Sequence, residues 1–108
     1  MCNPRSYDVQ QWETVAETPT LRVIVITLAP GQCVPWHLHT EITDTFYCLA
    51  GPMVVEHRDG MAASELATGE TYAVPPQTPH YVHGKDGGRC KFLIVQGIGT
   101  YDFVPLDE

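Results

Sequence analysis

Two histidines one residue apart are the part of this sequence best suited to chemistry. His37 and His39 lie in the segment between Gly31 and Gly51. Side chains alternate between the faces of a β-strand, so these imidazoles project from one face about 7 Å apart. Two such imidazoles can bind one ion, and a third histidine and a carboxylate from elsewhere would complete a shell that borderline divalent metals accept. The pair therefore predicts a metal site.

The residues around this pair resemble the first motif of the cupin family. That motif reads glycine, five residues, His-x-His, three or four residues, glutamate, six residues, glycine. This sequence places Gly31, His37, His39, Asp44 and Gly51 at matching positions. The one change of identity is the aspartate, which stands where the family has glutamate.

A second segment resembles the second motif of the same family. The spacing of that motif falls on Gly69, Pro75, Gln77, His80 and Gly84. Here Gln77 replaces a turn glycine and Gly84 replaces an asparagine. Proline restricts both its own backbone and that of the preceding residue, so the proline-rich turn is expected to present His80 at a fixed angle.

The resemblance covers roughly residues 20–100 and implies both a fold and a cofactor. The fold is all-β, the cupin double-stranded β-helix or jelly-roll barrel. The cofactor is one divalent ion (iron, manganese, nickel, zinc or copper), and the implied ligands are His37, His39, Asp44 and His80. Cupins include dioxygenases, isomerases, cyclases, lyases, sugar-binding modules and storage proteins, so the resemblance does not determine a reaction.

Two carboxylates compete for the acidic position in the site. Asp44 has the family's distance to Gly51, and strand alternation would point it inward. It is one methylene shorter than glutamate, so direct ligation needs a closer backbone or a bridging water. Glu41 shares strand parity with the histidine pair if that strand extends so far. We favour Asp44; the alternatives are Glu41 and a three-histidine site with open positions.

Further side chains are candidates for the wall of a substrate cavity, although the sequence identifies no catalytic residue. Phe46 and Cys48 share strand parity with Asp44, and the amide of Gln96 could orient a substrate. Trp36, next to the first histidine, is interpreted as cavity wall. The candidate cavity residues are therefore Trp36, Phe46, Cys48 and Gln96.

The pattern of short β-branched runs and turn residues also predicts an all-β chain. No segment of ten or more residues keeps an apolar helical stripe without a proline or glycine. The strands are expected at 21–28, 33–39, 45–49, 53–57, 62–67, 70–74, 80–83 and 91–98.

Length and composition limit the organisation of the chain. The 108 residues have room for one hydrophobic core, so we expect a single domain over 1–108, with a barrel core at about 20–100 and an extension at each end. No apolar run is long enough to span a membrane. Residues 1–11 lack the apolar segment of a secretory signal, so we expect a cytoplasmic protein. Its four cysteines, at positions 2, 33, 48 and 90, should then be free thiols.

The net charge indicates which partners to expect. Thirteen acidic and six basic residues give a formal charge of −7, which argues against nucleic acid because phosphates need a basic patch. We expect a small-molecule substrate instead. If that substrate is anionic, the metal or one of the six cations must neutralise it. We also expect a homodimer, since the sheet edges need cover and the tail from Gly99 to Leu106 is apolar.

Two classes of function fit these features. One is a small metal-dependent enzyme of dioxygenase, isomerase or lyase type, in which the ion polarises a bound oxygen, stabilises an enediolate or activates dioxygen. The alternative is a non-catalytic module that binds or senses a small ligand on the metal. We favour the enzyme, because no helix-turn-helix or other effector domain accompanies the barrel in this sequence.

Overall fold

The computed structural model describes residues 7–58 and 63–106, which form ten β-strands and one 3-10 turn but no α-helix. The all-β prediction is confirmed. The strands are β1 (Gln11–Thr18), β2 (Leu21–Leu28), β3 (Cys33–Leu38), β4 (Thr43–Ala50), β5 (Met53–His57), β6 (Ser64–Leu66), β7 (Thr71–Val74), β8 (His80–Gly84), β9 (Cys90–Gly97) and β10 (Val104–Pro105), with the 3-10 turn at Lys85–Gly87.

The strands are divided between two five-stranded antiparallel sheets. The first has the order β1-β2-β9-β4-β7 and the second the order β10-β3-β8-β5-β6. From β2 onward the chain crosses repeatedly between the sheets, so strands close in sequence face each other across the interior. This is the double-stranded β-helix, or jelly-roll barrel, that the sequence predicts.

The interior is built by the alternation of side chains along most of the strands. In β9 every second residue from Cys90 to Gln96 is buried, and β5 and β8 show the same pattern. Apolar side chains from both sheets fill most of the space between them. The largest of these fully buried apolar side chains are Phe46, Phe92, Ile24, Ile26, Leu28, Ile42 and Met53.

Two strands were not expected from the sequence. All eight residues of β1 are exposed, so this strand has no buried face and is held by its pairing with β2. The two-residue strand β10 exists because Val104 and Pro105 pair with Leu38 and His37 of β3. The expected strand at 62–67 is observed as β6, and its first residue, Ala62, lies outside the described residues.

The two departures from the second cupin-like motif differ in their structural consequences. Gln77, at the family's glycine, has a φ of 65°, the left-handed conformation that glycine adopts most easily. Gly84 lies against the following 3-10 turn, and a Cβ there would stand 1.8 Å from the Gly88 carbonyl oxygen. The asparagine that the family has at this position would not fit beside that turn.

The cysteines differ from the expectation of four free thiols. Cys48 and Cys90 are buried and free. Cys33 is disulfide-bonded, so the expectation is wrong for this residue. Cys2 lies outside the described residues. Within the described part of the chain, no helix is long and apolar enough to cross a membrane.

Candidate metal centre

Three histidines and one aspartate meet inside the barrel. His37 on β3 pairs with His80 on β8, and His39 follows directly after the end of β3. Asp44, near the start of β4, reaches them from the opposite sheet. One donor atom from each of these four side chains lies within 4.8 Å of the other three, and no side chain is more than 3% exposed. The structure thus brings together all four predicted ligands.

The three imidazole rings are held in one orientation. Each ring places Nδ1 against a backbone carbonyl oxygen, which can only accept a hydrogen bond, so Nδ1 is the donor. The lone pair of each neutral ring is then on Nε2, the atom directed at the cluster, as in metal-binding histidines. The pairs are His37 with Pro35 at 2.7 Å, His80 with Thr78 at 2.8 Å, and His39 with Asp102.

A single carboxylate oxygen lies at the centre of the cluster. Oδ2 of Asp44 is 2.9 Å from Nε2 of His39, 2.9 Å from Nε2 of His80 and 4.0 Å from Nε2 of His37. Since Nδ1 already carries a hydrogen, His39 and His80 can donate to Asp44 only as two imidazolium ions. One divalent cation would supply the same two positive charges without crowding two buried cations. The donor set therefore fits a divalent metal.

The spacing of the donor atoms is close to what one ion needs. Two ligands that both lie about 2.1 Å from one ion can be at most about 4.2 Å apart. The largest separation in the cluster is 4.8 Å, so the most distant ligand pair would have to close by at least about half an ångström. Side-chain rotations of that size are small, and they leave the strand framework unchanged.

The electrostatics of the cluster favour a cation. Burial, together with the neighbouring His80, lowers the pKa of His37 to about 3, so this ring is neutral. Burial alone would raise the pKa of Asp44, but hydrogen bonds from His39 and His80 outweigh it and hold that pKa below its usual range. Burial likewise opposes protonation of His39, yet Asp44 raises its pKa. The site thus combines a persistent anion with inward-facing nitrogen donors.

A polar chain from β9 and β2 holds the second oxygen of Asp44. The Gln96 amide nitrogen donates to Oδ1 of Asp44 at 3.1 Å, and Nε of Arg22 donates to the Gln96 amide oxygen at 2.7 Å. The Arg22 guanidinium lies 3.7 Å from the ring centre of Tyr101. Gln96 therefore fixes the carboxylate with Oδ2 toward the histidines.

Three of the four candidate ligands, His37, His39 and Asp44, border a small cavity of about 20 Å³. Of the predicted cavity residues, Phe46 and Gln96 line it. Aromatic residues of the C-terminal tail close one side: Phe103 stacks on His37 with ring centres 4.5 Å apart, and the Tyr101 ring lies 5.3 Å from His39. Nothing in the sequence alone indicates this contact. It also weakens the argument that the apolar tail needs a partner chain, because the tail packs on its own barrel.

Trp36 and Cys48 lie elsewhere than in the cavity wall. As the strand neighbour of the inward-facing His37, Trp36 points to the outer face, where it stacks on Tyr81 with ring centres 5.5 Å apart. Cys48 does point inward, but it is four residues beyond Asp44 on β4, about 13 Å along the strand. There it belongs to the apolar core. Strand alternation predicts which face of the sheet a side chain occupies, but not how far along the barrel it lies from the candidate metal site.

Glu41, the competing carboxylate, lies outside the cluster. It is exposed in the connection between β3 and β4, and its carboxylate accepts a hydrogen bond from the Thr100 backbone at 3.3 Å. His39 ends the inward-facing run because β3 stops at Leu38. The structure therefore brings Asp44, and not Glu41, to the histidines.

Comparison with known proteins agrees with this architecture. The family model described as the cupin domain, Cupin_2, matches residues 24–96. No curated protein matches the sequence. Many solved structures share the fold, and three of them illustrate its range.

A protein with a double-stranded β-helix domain from Klebsiella pneumoniae subsp. pneumoniae MGH 78578 is 23% identical, with a TM-score of 0.75 over 88% of this chain and 82% of its own. A structure of the DMSP lyases RdDddP and RnDddQII is 21% identical, with a TM-score of 0.75 over 89% of this chain and 52% of its own. The oxalate decarboxylase of Lactobacillus farciminis, in a formate complex, is 19% identical, with a TM-score of 0.69 over 81% of this chain and 27% of its own. At these identities the likeness concerns the fold. The family match covers most of the sequence, and the chain belongs to the cupin domain family.

Proposed function

We propose that this protein is a small metal-dependent enzyme that binds one divalent ion through His37, His39, His80 and Asp44 and acts on a small molecule. The observation that carries the proposal is the convergence of three oriented Nε2 atoms on one carboxylate oxygen inside a buried cavity. An ion that accepts five or six ligands would keep positions open for substrate or water beside these four side chains.

When bound, the ion would supply a Lewis acid or, if it is redox-active, a centre for oxygen chemistry. The chain's own residues set the conditions around it. Phe103 and Tyr101 cover the histidines and limit the access of water. Gln96 keeps Asp44 in one orientation. The three Nδ1 contacts fix the rings before any metal binds, which lowers the entropic cost of binding.

The structural neighbours support an enzyme over a binding module. Two of the solved structures with this fold are described as an oxalate decarboxylase and as DMSP lyases. Both descriptions name catalysts, as does that of a third structure, which concerns oxalate oxidase. We therefore favour an enzyme that acts on a small molecule, by dioxygenase, isomerase or lyase chemistry.

Metal analysis of the native, untagged protein by mass spectrometry tests this proposal. The wild type should carry about one divalent ion per chain, and the ion's identity then separates Lewis-acid from oxygen chemistry. The double variant His37→Ala, His39→Ala should lose nearly all bound metal and keep a β-type circular dichroism spectrum. His83→Ala is the matched control, because His83 lies outside the cluster and pairs with Glu56 at 2.6 Å. This variant should keep its bound metal.

Full metal occupancy in the double variant would contradict the proposed ligand set. A wild-type protein that binds no divalent ion after dialysis against iron, manganese, nickel, zinc and copper would contradict the metal-dependent function itself.

We also propose that the protein is a homodimer. β1 is an edge strand whose eight residues are all exposed, and it carries Trp12 and Val15 at 42% and 54% exposure. Unpaired strand edges with apolar side chains favour pairing with another chain. Light scattering should report twice the monomer mass of 12.0 kDa. A monomer mass across a wide concentration range would refute the dimer.

A further inference from the structure

One cation reaches the cavity beside the metal centre and has an unused hydrogen-bond donor there. Arg22 extends from β2 into the cavity, where its Nε donates to Gln96 at 2.7 Å. Its Nη2 is buried and has no hydrogen-bond partner among the described residues. The ring of Tyr101 lies 3.7 Å from the guanidinium carbon, and that of Trp12 5.4 Å, so the group is held in position.

A buried guanidinium nitrogen without an acceptor is costly, and Nη2 of Arg22 makes no hydrogen bond within residues 7–58 and 63–106. Asp44 is the nearby anion in the same cavity, but both of its oxygens are engaged. Oδ1 accepts from Gln96 at 3.1 Å, and Oδ2 faces Nε2 of His39 and His80 at 2.9 Å each. Arg22 therefore makes no direct ion pair with Asp44, and its free Nη2 fits an acceptor that arrives with a ligand.

Charge and size limit what that ligand is. If the three histidines are neutral, the charges in the cavity are those of a divalent ion, Asp44 and Arg22. Their sum is an excess of two positive charges, which favours an anionic ligand. The cavity has a volume of about 20 Å³. That is room for one or two water-sized groups, so only the end of a ligand enters it. A carboxylate is small, planar and matched to a guanidinium.

We propose that Arg22 is the specificity residue of this site and binds the carboxylate of a small organic acid next to the metal. The proposal rests on the metal-dependent function proposed above and adds a substrate class to it. Gln96 is the positioning residue, because it joins Arg22 to Asp44 and so fixes the distance between the carboxylate-binding group and the candidate metal ligands.

Acetate binding to the zinc-loaded protein, followed by amide chemical shifts in 15N-labelled samples, tests the proposal. The wild type should bind acetate, and its neutral analogue acetamide at least about tenfold more weakly. Arg22→Gln should weaken acetate binding at least about tenfold, as expected for the loss of a charged hydrogen bond, without changing acetamide binding. Arg22→Lys keeps the positive charge but lacks the planar guanidinium. Its acetate affinity should lie between those of the wild type and Arg22→Gln.

Arg58→Gln is the matched control, because Arg58 also packs on an aromatic ring, 4.3 Å from Trp36, but on the outer face of the barrel. It should bind acetate as the wild type does. Zinc content measured on each sample should stay at about one ion per chain, which separates loss of the ligand from loss of the metal.

Three results would overturn the inference: a wild type that does not bind acetate, an Arg22→Gln protein that keeps zinc and binds acetate as tightly as the wild type, or equal binding of acetate and acetamide. If the wild type binds no zinc, the proposed function fails, and the metal-free proteins then decide the role of Arg22. Acetate binding that disappears in Arg22→Gln supports that role, and binding that persists refutes it.

Discussion

The two ends of the barrel interior are built on the same strands and have opposite chemistry. Along β4, Asp44 lies at one end and Cys48 at the other, and along β9 Gln96 and Cys90 are separated in the same way. One end gathers the buried polar groups, and the other is filled by apolar side chains such as Phe92, packed 5.8 Å from Phe46 between ring centres. The inward-facing side chains of a single strand thus contribute to both the polar and the apolar end of the interior.

This difference shows how a small barrel separates stability from function. Apolar burial contributes about 1.5–3 kcal/mol per large side chain, whereas buried polar groups contribute little net stability even when they are paired. The apolar end should therefore carry the fold. The polar end is expected to cost stability in the absence of a ligand and to recover it when metal binds.

The largest change in stability is expected from a substitution at the apolar end. Phe92 is fully buried, so Phe92→Ala leaves a cavity and should lower the free energy of unfolding by about 3–5 kcal/mol, measured by urea denaturation. Leu49→Ala is the control on β4, because Leu49 is 43% exposed and its loss should cost less than about 1 kcal/mol. Zinc bound per folded molecule should not change in either variant. A Phe92→Ala protein that loses zinc while folded would show that the two ends are coupled.

At the polar end, the acidic residue is expected to affect metal affinity rather than stability. Asp44→Asn preserves shape and removes the anion, and it should weaken zinc binding about 10- to 100-fold in competition with a chromophoric chelator. Glu41→Gln removes an exposed charge outside the cluster and should change the affinity less than twofold. If Glu41→Gln loses metal while Asp44→Asn keeps it, the assignment of the carboxylate is wrong.

The apolar end should also make the stability of the protein sensitive to alkaline pH. Burial, with the neighbouring Cys48, raises the pKa of the Cys90 thiol to about 12, so the fold favours the protonated form. The unfolded chain loses this proton above about pH 9, so stability should fall as pH rises from about 9 toward 12, by about 1 kcal/mol at pH 10. Thermal unfolding of the wild type and of Cys90→Ala from pH 8 to 10.5 measures the difference. An equal decline in both proteins would contradict this role of Cys90.

The smallest effect concerns the turn that presents His80. Gln77 has a φ of 65°, which glycine adopts at lower cost, so Gln77→Gly should raise the free energy of unfolding by about 0.5–1 kcal/mol. The variant gives up a 3.2 Å hydrogen bond from the Gln77 amide to Thr40, which is exposed and weak. Zinc affinity should stay within twofold. A loss of stability would show that this side-chain contact outweighs the backbone conformation.

Strand periodicity and the spacing of the two motifs predict most of this molecule. The period of two puts His37 inside and places Asp44, Phe46 and Cys48 on one face, because alternation is a local property of extended backbone. The resemblance to the cupin motifs adds His80 to the predicted ligands, and the structure pairs it with His37. These features follow from the order of residues alone, and the structure shows all of them.

Only the tertiary structure decides the contacts that depend on distance along the barrel and on the ends of the chain. Cys48 has the predicted face but lies at the wrong depth, since periodicity does not say how far a residue stands from the site. Arg22 becomes part of the cavity through its register with Gln96, and Tyr101 and Phe103 become a cover because the tail folds back onto β3. Such contacts join residues far apart in sequence, and long-range packing, rather than local propensity, fixes them.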